Sequence, residues 1–201
     1  MKILFCQPPV EDFYTTPDRH YPLGLISLAG YLKDLPVQCK IVDFLHTGER
    51  HTLSLPDNFN SVRQYLPYDT SPIKIFHTYY HFGYSWNKIE SIFRNEMPDV
   101  IAISSLFYTY GHEVLQTVKI ARKACPYALI VVGGQNVRDG LNRWQADIPA
   151  DYLIMGEGEE PFRALVEYLL GRRNNPDKIP GLMIRKPGGF SASSLEQPCT
   201  P

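Results

Sequence analysis

Short apolar stretches alternate with segments of helical periodicity along most of this chain. The apolar stretches are of strand length, and the later ones place apolar residues at consecutive positions, which is typical of strands buried on both faces of a parallel sheet. Between them, apolar residues recur every three or four positions, which predicts helices with one buried face. The pattern predicts strands at residues 2–7, 39–44, 100–104, 129–132 and 151–155, with a further edge strand at 181–185.

The predicted helices cover residues 23–33, 85–95, 111–124 and 159–170, with a short helix at 138–146. Strands and helices in this alternation form βαβ units with right-handed crossovers, so the sheet is parallel and has helices on both faces. The sequence therefore predicts an α/β fold of the Rossmann-like or flavodoxin-like kind, with a five-stranded parallel sheet in the order 2-1-3-4-5. In that order a ligand crevice lies between strands one and three, at their carboxyl ends.

Two regions depart from the regular alternation. Residues 45–97 form an insert within a predicted domain at 1–185, and the tail at 186–201, rich in Gly, Pro and Ser, is predicted to be a linker. Two interpretations of the insert stay open: its aromatic residues form a satellite core over the sheet, or they pack on another domain or cap a bound ligand. The aromatic residues concerned are Tyr65, Tyr68, Phe76, Tyr79, Tyr80, Phe82, Tyr84 and Trp86.

Composition narrows the classes of partner. The chain has 201 residues, of which 44% are hydrophobic and 20% charged, and its formal net charge is −1. This balance gives no basic surface for nucleic acid, and the longest apolar runs are too short to span a bilayer. Four widely spaced cysteines without a CxxC pair argue against a zinc site or a disulfide framework. We therefore expect a cytoplasmic protein without a nucleic-acid or membrane partner.

Four loops are predicted to meet at the crevice, and their residues disfavour three common kinds of site. A flavin mononucleotide site needs backbone N–H donors after the first strand, but Pro8 and Pro9 remove two of them. A phospho-acceptor receiver domain needs an Asp at the end of the third strand, where this chain has Ser104. The Gly156-x-Gly158 motif after the fifth strand lacks the third glycine of a dinucleotide fingerprint, and its neighbouring glutamates would repel a pyrophosphate.

The remaining crevice is lined by small and hydroxyl-bearing residues. Ser104 and Ser105 can hydrogen-bond a nucleotide tail, and Gly133 and Gly134 allow a flat or bulky group to approach the backbone closely. Either loop alone is more simply explained as a tight turn, but the combination in this order favours a binding site. The residues that begin the next helix, Tyr108 to Tyr110, either reach the ligand or, in the case of Thr109, cap that helix.

Several motifs, in this order and spacing, carry a family resemblance. They are Gln7-Pro8-Pro9, Tyr21-Pro22-Leu23-Gly24-Leu25, Ile41-Val42-Asp43, PDVIAIS at 98–104, Val131-Val132-Gly133-Gly134 and DYLIMGEGE at 151–159. Over residues 1–44 and 98–185 the chain resembles the N-terminal cobalamin-binding domains of radical S-adenosylmethionine (SAM) enzymes. The resemblance implies that the nucleotide tail of the corrinoid lies near Ser104, Ser105, Leu106, Gly133, Gly134 and Gln135, with Pro8, Pro9, Gly156, Glu157 and Gly158 bordering the site.

The chain departs from methionine-synthase-like cobalamin domains, which carry DxHxxG after the first strand and ligate cobalt through its histidine. The nearest match, DFLHTG at 43–48, has a different spacing and follows the second strand. We therefore interpret His46 as an ordinary loop histidine and expect cobalt without a protein imidazole ligand. His77 and His81 lie four residues apart, but without a third ligand of suitable type we predict no metal site and no catalytic residue in this chain.

The CxxxCxxC motif that holds a four-iron four-sulfur cluster in the family is absent from the sequence. We expect that cluster and SAM to belong to a C-terminal radical SAM domain of the same polypeptide, beyond this chain. We expect this chain alone to bind cobalamin and to catalyse nothing. Methyl transfer to an unactivated carbon or phosphorus is one chemistry that the resemblance implies. Two alternatives stay open: a stand-alone Rossmann-like domain that binds another nucleotide, and an interaction domain whose crevice is vestigial.

Overall fold

The computed structural model describes residues 1–13, 16, 18, 21–61, 63–64, 78–137 and 148–192. In this part of the chain the strands are β1 (Lys2–Gln7), β2 (Val10–Asp12), β3 (Gln38–Asp43), β4 (Arg50–Leu53), β5 (Tyr79–Phe82), β6 (Val100–Ser104), β7 (Leu129–Gly133), β8 (Tyr152–Ile154), β9 (Leu182–Lys186) and β10 (Gly189–Ala192). The helices are α1 (Leu23–Tyr31), α2 (Trp86–Glu96), α3 (Gly111–Ala124) and α4 (Glu159–Leu169). The helix predicted at 138–146 lies outside the described residues.

The main sheet has the strand order β3-β1-β6-β7-β8-β9-β10. Its first five members pair in parallel, so the five predicted strands take the order 2-1-3-4-5. The edge strand predicted at 181–185 is β9, but it pairs antiparallel with β8, and a strand that was not predicted, β10, pairs antiparallel with β9. The direction of β9 follows from the segment after α4: Gly181 accepts a hydrogen bond of 2.9 Å from the Met155 amide, so the chain is back at the carboxyl edge before β9 begins.

The predicted linker begins with a strand instead. A two-residue turn, Pro187-Gly188, joins β9 to β10, and Gly188 has a φ of +93°. Proline presets φ for the first turn position, and glycine takes the positive φ of the second without a steric penalty. The Gly and Pro content that predicted a linker is therefore, in this place, the composition of a hairpin turn. Residues 193–201 lie outside the described part of the chain.

The sheet is buried on both faces, as the apolar runs predicted. In β1, Ile3 and Phe5 belong to the core formed with α1 and α4, whereas Leu4 and Cys6 belong to the core formed with α2 and α3. Because successive side chains of a strand point to opposite faces, a strand covered on both sides must be apolar throughout. None of the described helices is long and apolar enough to cross a membrane.

The insert and the segment after β1 together form a second, smaller sheet. Its order is β2-β5-β4, and both pairs are antiparallel. Val10, Leu45 and Phe82 make a small core there, on which Tyr80 and Tyr110 pack. For Tyr80 and Phe82 this is the satellite core that the sequence offered as one interpretation, whereas Tyr84 and Trp86 pack on the core formed with α2 and α3. The aromatic residues Tyr65, Tyr68 and Phe76 lie outside the described residues.

Candidate functional site

A pocket opens at the carboxyl ends of β1 and β6. After β1 the chain continues to α1 on one face of the sheet, and after β6 it continues to α3 on the other face. Adjacent parallel strands whose connections diverge in this way leave a crevice between their ends. The pocket there is mostly apolar, and it is lined by Gln7, Pro8, Pro9, Val10, Leu45, Ser104, Leu106, Phe107, Tyr110 and Val114.

The pocket has two facing walls and an exposed mouth. One wall is the loop after β1, with Pro8, Pro9 and Val10, and the other is the beginning of α3 with Tyr110 and Val114. At the mouth, an apolar rim of three consecutive residues is about half exposed to solvent: Leu106 (50%), Phe107 (42%) and Tyr108 (50%). Exposed apolar side chains grouped at the mouth of a pocket mark a surface that contacts a ligand or a partner.

The loops after β6 and β7 are fastened to each other by Asn136. Its side-chain amide donates to the Ser105 hydroxyl oxygen at 3.0 Å and to the Phe107 carbonyl at 3.1 Å, and its backbone amide donates to the Ser105 carbonyl at 3.1 Å. Ser105 is fully buried and Asn136 is 2% exposed. Buried polar groups of this kind stabilise a loop by satisfying each other. Ser105 therefore holds the rim in place and does not line the pocket.

A glycine is required at position 134, because the loops after β6 and β7 approach each other closely there. Its φ is +119°, and a Cβ added there would lie 2.5 Å from the Ser105 carbonyl oxygen. No side chain fits at that distance, so the glycine lets the β7 loop pack against the β6 loop. Gly134 thus has a structural reason within the described chain, whereas a Cβ on Gly133, the last residue of β7, would make only ordinary contacts with Ile154.

The loop after β8 lies farther along the same edge of the sheet. Gly156 has a φ of +77° and is exposed, as is Glu157. The Gly158 carbonyl accepts the first hydrogen bond of α4, from the Phe162 amide at 2.9 Å, and a Cβ on Gly158 would lie 3.3 Å from Leu28. These residues are separated from the pocket by β7.

The structure brings four of the predicted binding residues to the pocket: Pro8, Pro9, Ser104 and Leu106. The other seven do not line it, although all follow strands at the same carboxyl edge, and their contact with a ligand stays a prediction. They are Ser105, Gly133, Gly134, Gln135, Gly156, Glu157 and Gly158.

A buried polar cluster lies behind the wall formed by the loop after β1. His81 of β5 is 3% exposed, with Nδ1 3.0 Å from a Glu11 carboxylate oxygen and Nε2 2.9 Å from the Tyr84 carbonyl oxygen. Burial lowers the pKa of His81, but hydrogen bonds with Glu11 and Tyr84 outweigh it, so that the net shift raises the pKa. The Tyr79 hydroxyl donates to the Glu11 carbonyl at 3.1 Å, and burial raises the pKa of this phenol.

Glu113, in the first turn of α3, completes the cluster. It is 3% exposed, and its Oε1 accepts a hydrogen bond of 2.9 Å from the Glu11 backbone amide. Burial raises the pKa of Glu113 to about 7. Beside it, the Tyr110 hydroxyl donates to the Asp12 carboxylate. Two hydrogen bonds therefore join β2 to the beginning of α3. His, Cys, Asp and Glu side chains form no group of three or more with the geometry of a metal site in the described parts of the chain.

A comparison with protein-family models finds one match that decides the family. The model for the B12 binding domain matches residues 61–166, which is more than half of the chain. The chain belongs to the B12-binding domain family. The resemblance found in the sequence, to the cobalamin-binding part of cobalamin-dependent radical SAM methyltransferases, is thereby confirmed.

Curated relatives agree with this B12-binding domain assignment. The chain is 26% identical over 189 residues to the cytidylyl-2-hydroxyethylphosphonate methyltransferase of Streptomyces wedmorensis, covering 94% of this chain and 32% of that protein. It is 30% identical over 90 residues to the cobalamin-dependent radical SAM methyltransferase TokK of Streptomyces tokunonensis, covering 44% of this chain and 13% of that protein. The chain thus spans about a third or less of the length of these relatives.

Solved structures show the same fold. The radical S-adenosylmethionine methyltransferase TsrM from Kitasatospora setae, with cobalamin and a [4Fe-4S] cluster bound, superposes with a TM-score of 0.58 at 14% identity. The match covers 96% of this chain and 30% of that one.

His46 lies at the end of β3 in this B12-binding domain, outside the pocket lining. Its Nδ1 is 2.7 Å from an Asp43 carboxylate oxygen, and its ring stacks on Tyr21 with 4.9 Å between centroids and an interplanar angle of 3°. Asp43 also accepts from the backbone amides of Leu45 and His46. The DxxHxG segment is therefore a local turn in which aspartate orients the histidine.

Much of the pocket lining could not be recognised in the sequence, because it comes from residues that periodicity describes as core. Val10, Leu45 and Val114 look like ordinary apolar positions in the sequence. One signal was available: α3 starts at the crevice, and Tyr110 of the segment 108–110 does line the pocket. The alternative for Thr109 is not observed, since the beginning of α3 has no side-chain capping bond.

Proposed function

We propose that this chain is the cobalamin-binding module of a cobalamin-dependent radical SAM enzyme, and that the corrinoid binds at the pocket between β1 and β6. The observation that carries the proposal is the coincidence of the family match with an apolar pocket at the sheet's switch point, bordered by the exposed rim at 106–108. When bound, cobalamin supplies a cobalt centre that carries a methyl group.

The residues of the pocket fit such a ligand. A corrinoid offers a wide macrocycle with apolar edges and a nucleotide tail, so its site needs apolar contact area and a few polar groups. The rim supplies Leu106, Phe107 and Tyr108, and the pocket walls supply the two prolines and Val10. Ser104 places a hydroxyl at the end of β6. We propose that the loops at 133–135 and 156–158 border the ligand along the same edge.

We further propose that no histidine of this chain ligates the cobalt. Two observations support this: the ring of His46 is oriented by Asp43 and Tyr21, and both ring nitrogens of His81 are hydrogen-bonded inside the polar cluster. The loop after β1, which carries the histidine in methionine-synthase-like domains, here begins with Pro8 and Pro9.

The whole protein's reaction is a proposal that rests on its relatives. We propose that a radical SAM domain of the same polypeptide holds a four-iron four-sulfur cluster and SAM, and that the complete enzyme transfers a methyl group. The support is that this chain corresponds to 32% of a phosphonate methyltransferase and 30% of TsrM, whose structure holds cobalamin and such a cluster. The cytoplasmic location expected from the cysteines stays a prediction.

The direct test is the visible absorption spectrum of the purified protein after incubation with hydroxocobalamin and desalting. We expect a retained corrinoid spectrum, and loss of retention in Ser104→Trp, which fills the pocket. Ser91→Trp, on the exposed side of α2, is the matched control and should retain the ligand. A wild-type protein that emerges colourless, or that is stabilised by flavin mononucleotide and not by cobalamin in a thermal-shift assay, would contradict the proposal.

The missing imidazole ligand has a separate test. Electron paramagnetic resonance of the Co(II) form is recorded with ¹⁵N-labelled protein and unlabelled cobalamin. We expect no ¹⁵N superhyperfine doublet, because no nitrogen of the protein binds cobalt. A doublet that disappears in His46→Ala would show that the loop histidine is a ligand after all, whereas a ¹⁴N triplet reports only the cofactor's own base.

A further inference from the structure

One of the two hydrogen bonds that join the walls of the pocket is made by residues that do not line it. Val10 lines one wall and Val114 the other. The residues next to them, Glu11 and Glu113, are joined by the bond from the Glu11 amide to Glu113 Oε1, 2.9 Å long. The position of Val10 relative to α3 therefore depends on the side chain of Glu113.

The second carboxyl oxygen of Glu113 is in an unusual position. This oxygen, Oε2, is buried, and the described residues provide no hydrogen-bond partner for it. An ionised carboxylate with one unsolvated, unpaired oxygen is costly in a protein interior, because it loses its hydration without compensation. A protonated acid avoids most of this cost and still accepts the Glu11 N–H bond through Oε1.

Groups from three elements surround Glu113 and act on its pKa in opposite directions. From β2 come Glu11 and Asp12, from β5 come Tyr79 and His81, and from the turn before α3 comes Tyr110. The cation of this set, His81, is hydrogen-bonded to Glu11 and not to Glu113. Burial raises the pKa of Glu113 to about 7, with the Glu11 charge adding to the effect, while two backbone amides and His81 oppose it.

We propose that Glu113 is a positioning residue of the cobalamin site, which as a neutral carboxylic acid fastens the loop after β1 to α3, and that its ionisation loosens this wall and weakens cobalamin binding. The inference rests on the proposed function. Ionisation places a further negative charge beside Glu11 and Asp12, both on β2, so the strand that carries the Val10 wall is repelled from α3. Binding that requires the neutral form loses affinity in proportion to the neutral fraction.

The test compares the pH dependence of cyanocobalamin binding in three proteins. In the wild type, the dissociation constant should rise roughly tenfold between pH 6 and pH 8, because the neutral fraction falls from about nine-tenths to about one-tenth. Glu113→Gln keeps both an acceptor for the Glu11 amide and an uncharged group at Oε2, so it should bind well at both pH values. Glu113→Ala lacks the bond and should bind weakly at both. Glu90→Gln, a surface carboxylate on α2, is the matched control and should follow the wild type.

The stability of the unliganded protein provides an independent measurement. Glu113 has a pKa raised above its unfolded value, so its contribution to stability is complete below the unfolded pKa and is lost as pH rises through about 7. The free energy of unfolding of the wild type, relative to Glu113→Gln, should therefore fall between about pH 4.5 and pH 7 and level off above.

The outcomes separate the two proposals. If wild type and Glu113→Gln share one binding profile, the positioning role is wrong although the domain binds cobalamin. If neither binds at any pH, the proposed function fails together with the ligand part of this inference. The difference in the free energy of unfolding between wild type and Glu113→Gln then still tests whether Glu113 is held neutral. A difference that stays constant from pH 5 to pH 8 would show that it is not.

Discussion

The main sheet and the small β2-β5-β4 sheet bury their residues in different ways. In the main sheet every central strand is apolar on both faces, and its two cores contain apolar side chains from four helices. In the small sheet a three-residue core is accompanied by the buried polar residues His81 and Glu113, which hydrogen-bond Glu11 and leave Glu113 Oε2 without a partner among the described residues. The pocket lies where the two meet, so one of its walls is held by apolar packing and the other by polar ties.

The position and the shape of the pocket therefore have separate origins. The switch point between β1 and β6 is decided by the backbone path of the parallel strands and survives many side-chain changes. The width of the pocket depends on a few hydrogen bonds between β2 and α3. Such bonds are individually modest but costly to leave half made when they are buried, so the second region should respond more sharply to pH and to single substitutions.

We expect the largest loss of stability from a Phe-to-Ala substitution, and making it in each of the two regions tests the comparison. Phe93→Ala, in the α2–α3 core where Phe93 is fully buried and edge-on to Phe44, should lower the free energy of unfolding by about 3–5 kcal/mol. The folded fraction should bind cobalamin as the wild type does. Phe82→Ala, in the small core, should cost less stability but weaken binding, because Phe82 packs on Val10 and Leu45 of the pocket. Urea unfolding and ligand titration measure the two quantities. Equal losses of affinity in both variants would remove the distinction.

We expect an intermediate loss of stability from a substitution at the contact between the loops after β6 and β7, which holds the rim. Gly134→Ala should cost on the order of 3 kcal/mol, because the new Cβ would clash with the Ser105 carbonyl and φ is positive. Gly171→Ala is the matched control: its φ of +73° is also positive, but no atom lies within 4 Å of the new Cβ. It should cost about 1 kcal/mol. Thermal unfolding of the two variants distinguishes them, and equal shifts in melting temperature would mean that the β7 loop can move away without loss.

The smallest expected effect is a loss of stability at acid pH, opposite in pH direction to the effect of Glu113. The Arg163 guanidinium makes hydrogen bonds of 2.6 and 2.7 Å to the Asp34 carboxylate and holds its pKa at about 2. A lowered pKa contributes stability above the unfolded value, and this contribution is lost as pH falls from about 4 to about 2. The pair is exposed to solvent, so the loss should be small and should shrink at high salt.

Asp34→Asn should therefore remove a shallow acid-side decrease in stability, the opposite pH direction from Glu113. Unfolding measured at low and high salt near pH 3 and pH 7 checks this. A variant that loses as much stability as the wild type between the two pH values would show that the ion pair does not contribute.

Much of the main sheet could be predicted from the sequence because its signals are local. The helix at 111–124 was predicted at its observed bounds, and the parallel strand order followed from the alternation of elements. The small sheet could not be predicted, because β2 has three residues directly after two prolines, and its partner β5 lies about seventy residues later. No periodicity develops in strands that short. The turn and second strand of the edge hairpin were missed because Gly and Pro are common both to linkers and to tight turns.

The candidate site divides in the same way. Pro8, Pro9, Ser104 and Leu106 follow predicted strands, so their place at the carboxyl edge could be inferred without coordinates. Glu11, His81 and Glu113 are far apart in the chain, and each alone is an ordinary polar residue whose default position is the surface.

The family, the parallel core and the edge of the sheet at which the pocket opens could be inferred from the sequence alone, since hydrophobic periodicity and motif order are properties of neighbouring residues. Which side chains enclose the pocket, and which are buried behind it, depends on the tertiary structure. The burial and protonation of a carboxyl group such as Glu113 depend on groups from β2 and β5 that the fold brings together, and desolvation is a property of that assembled environment and not of the residue.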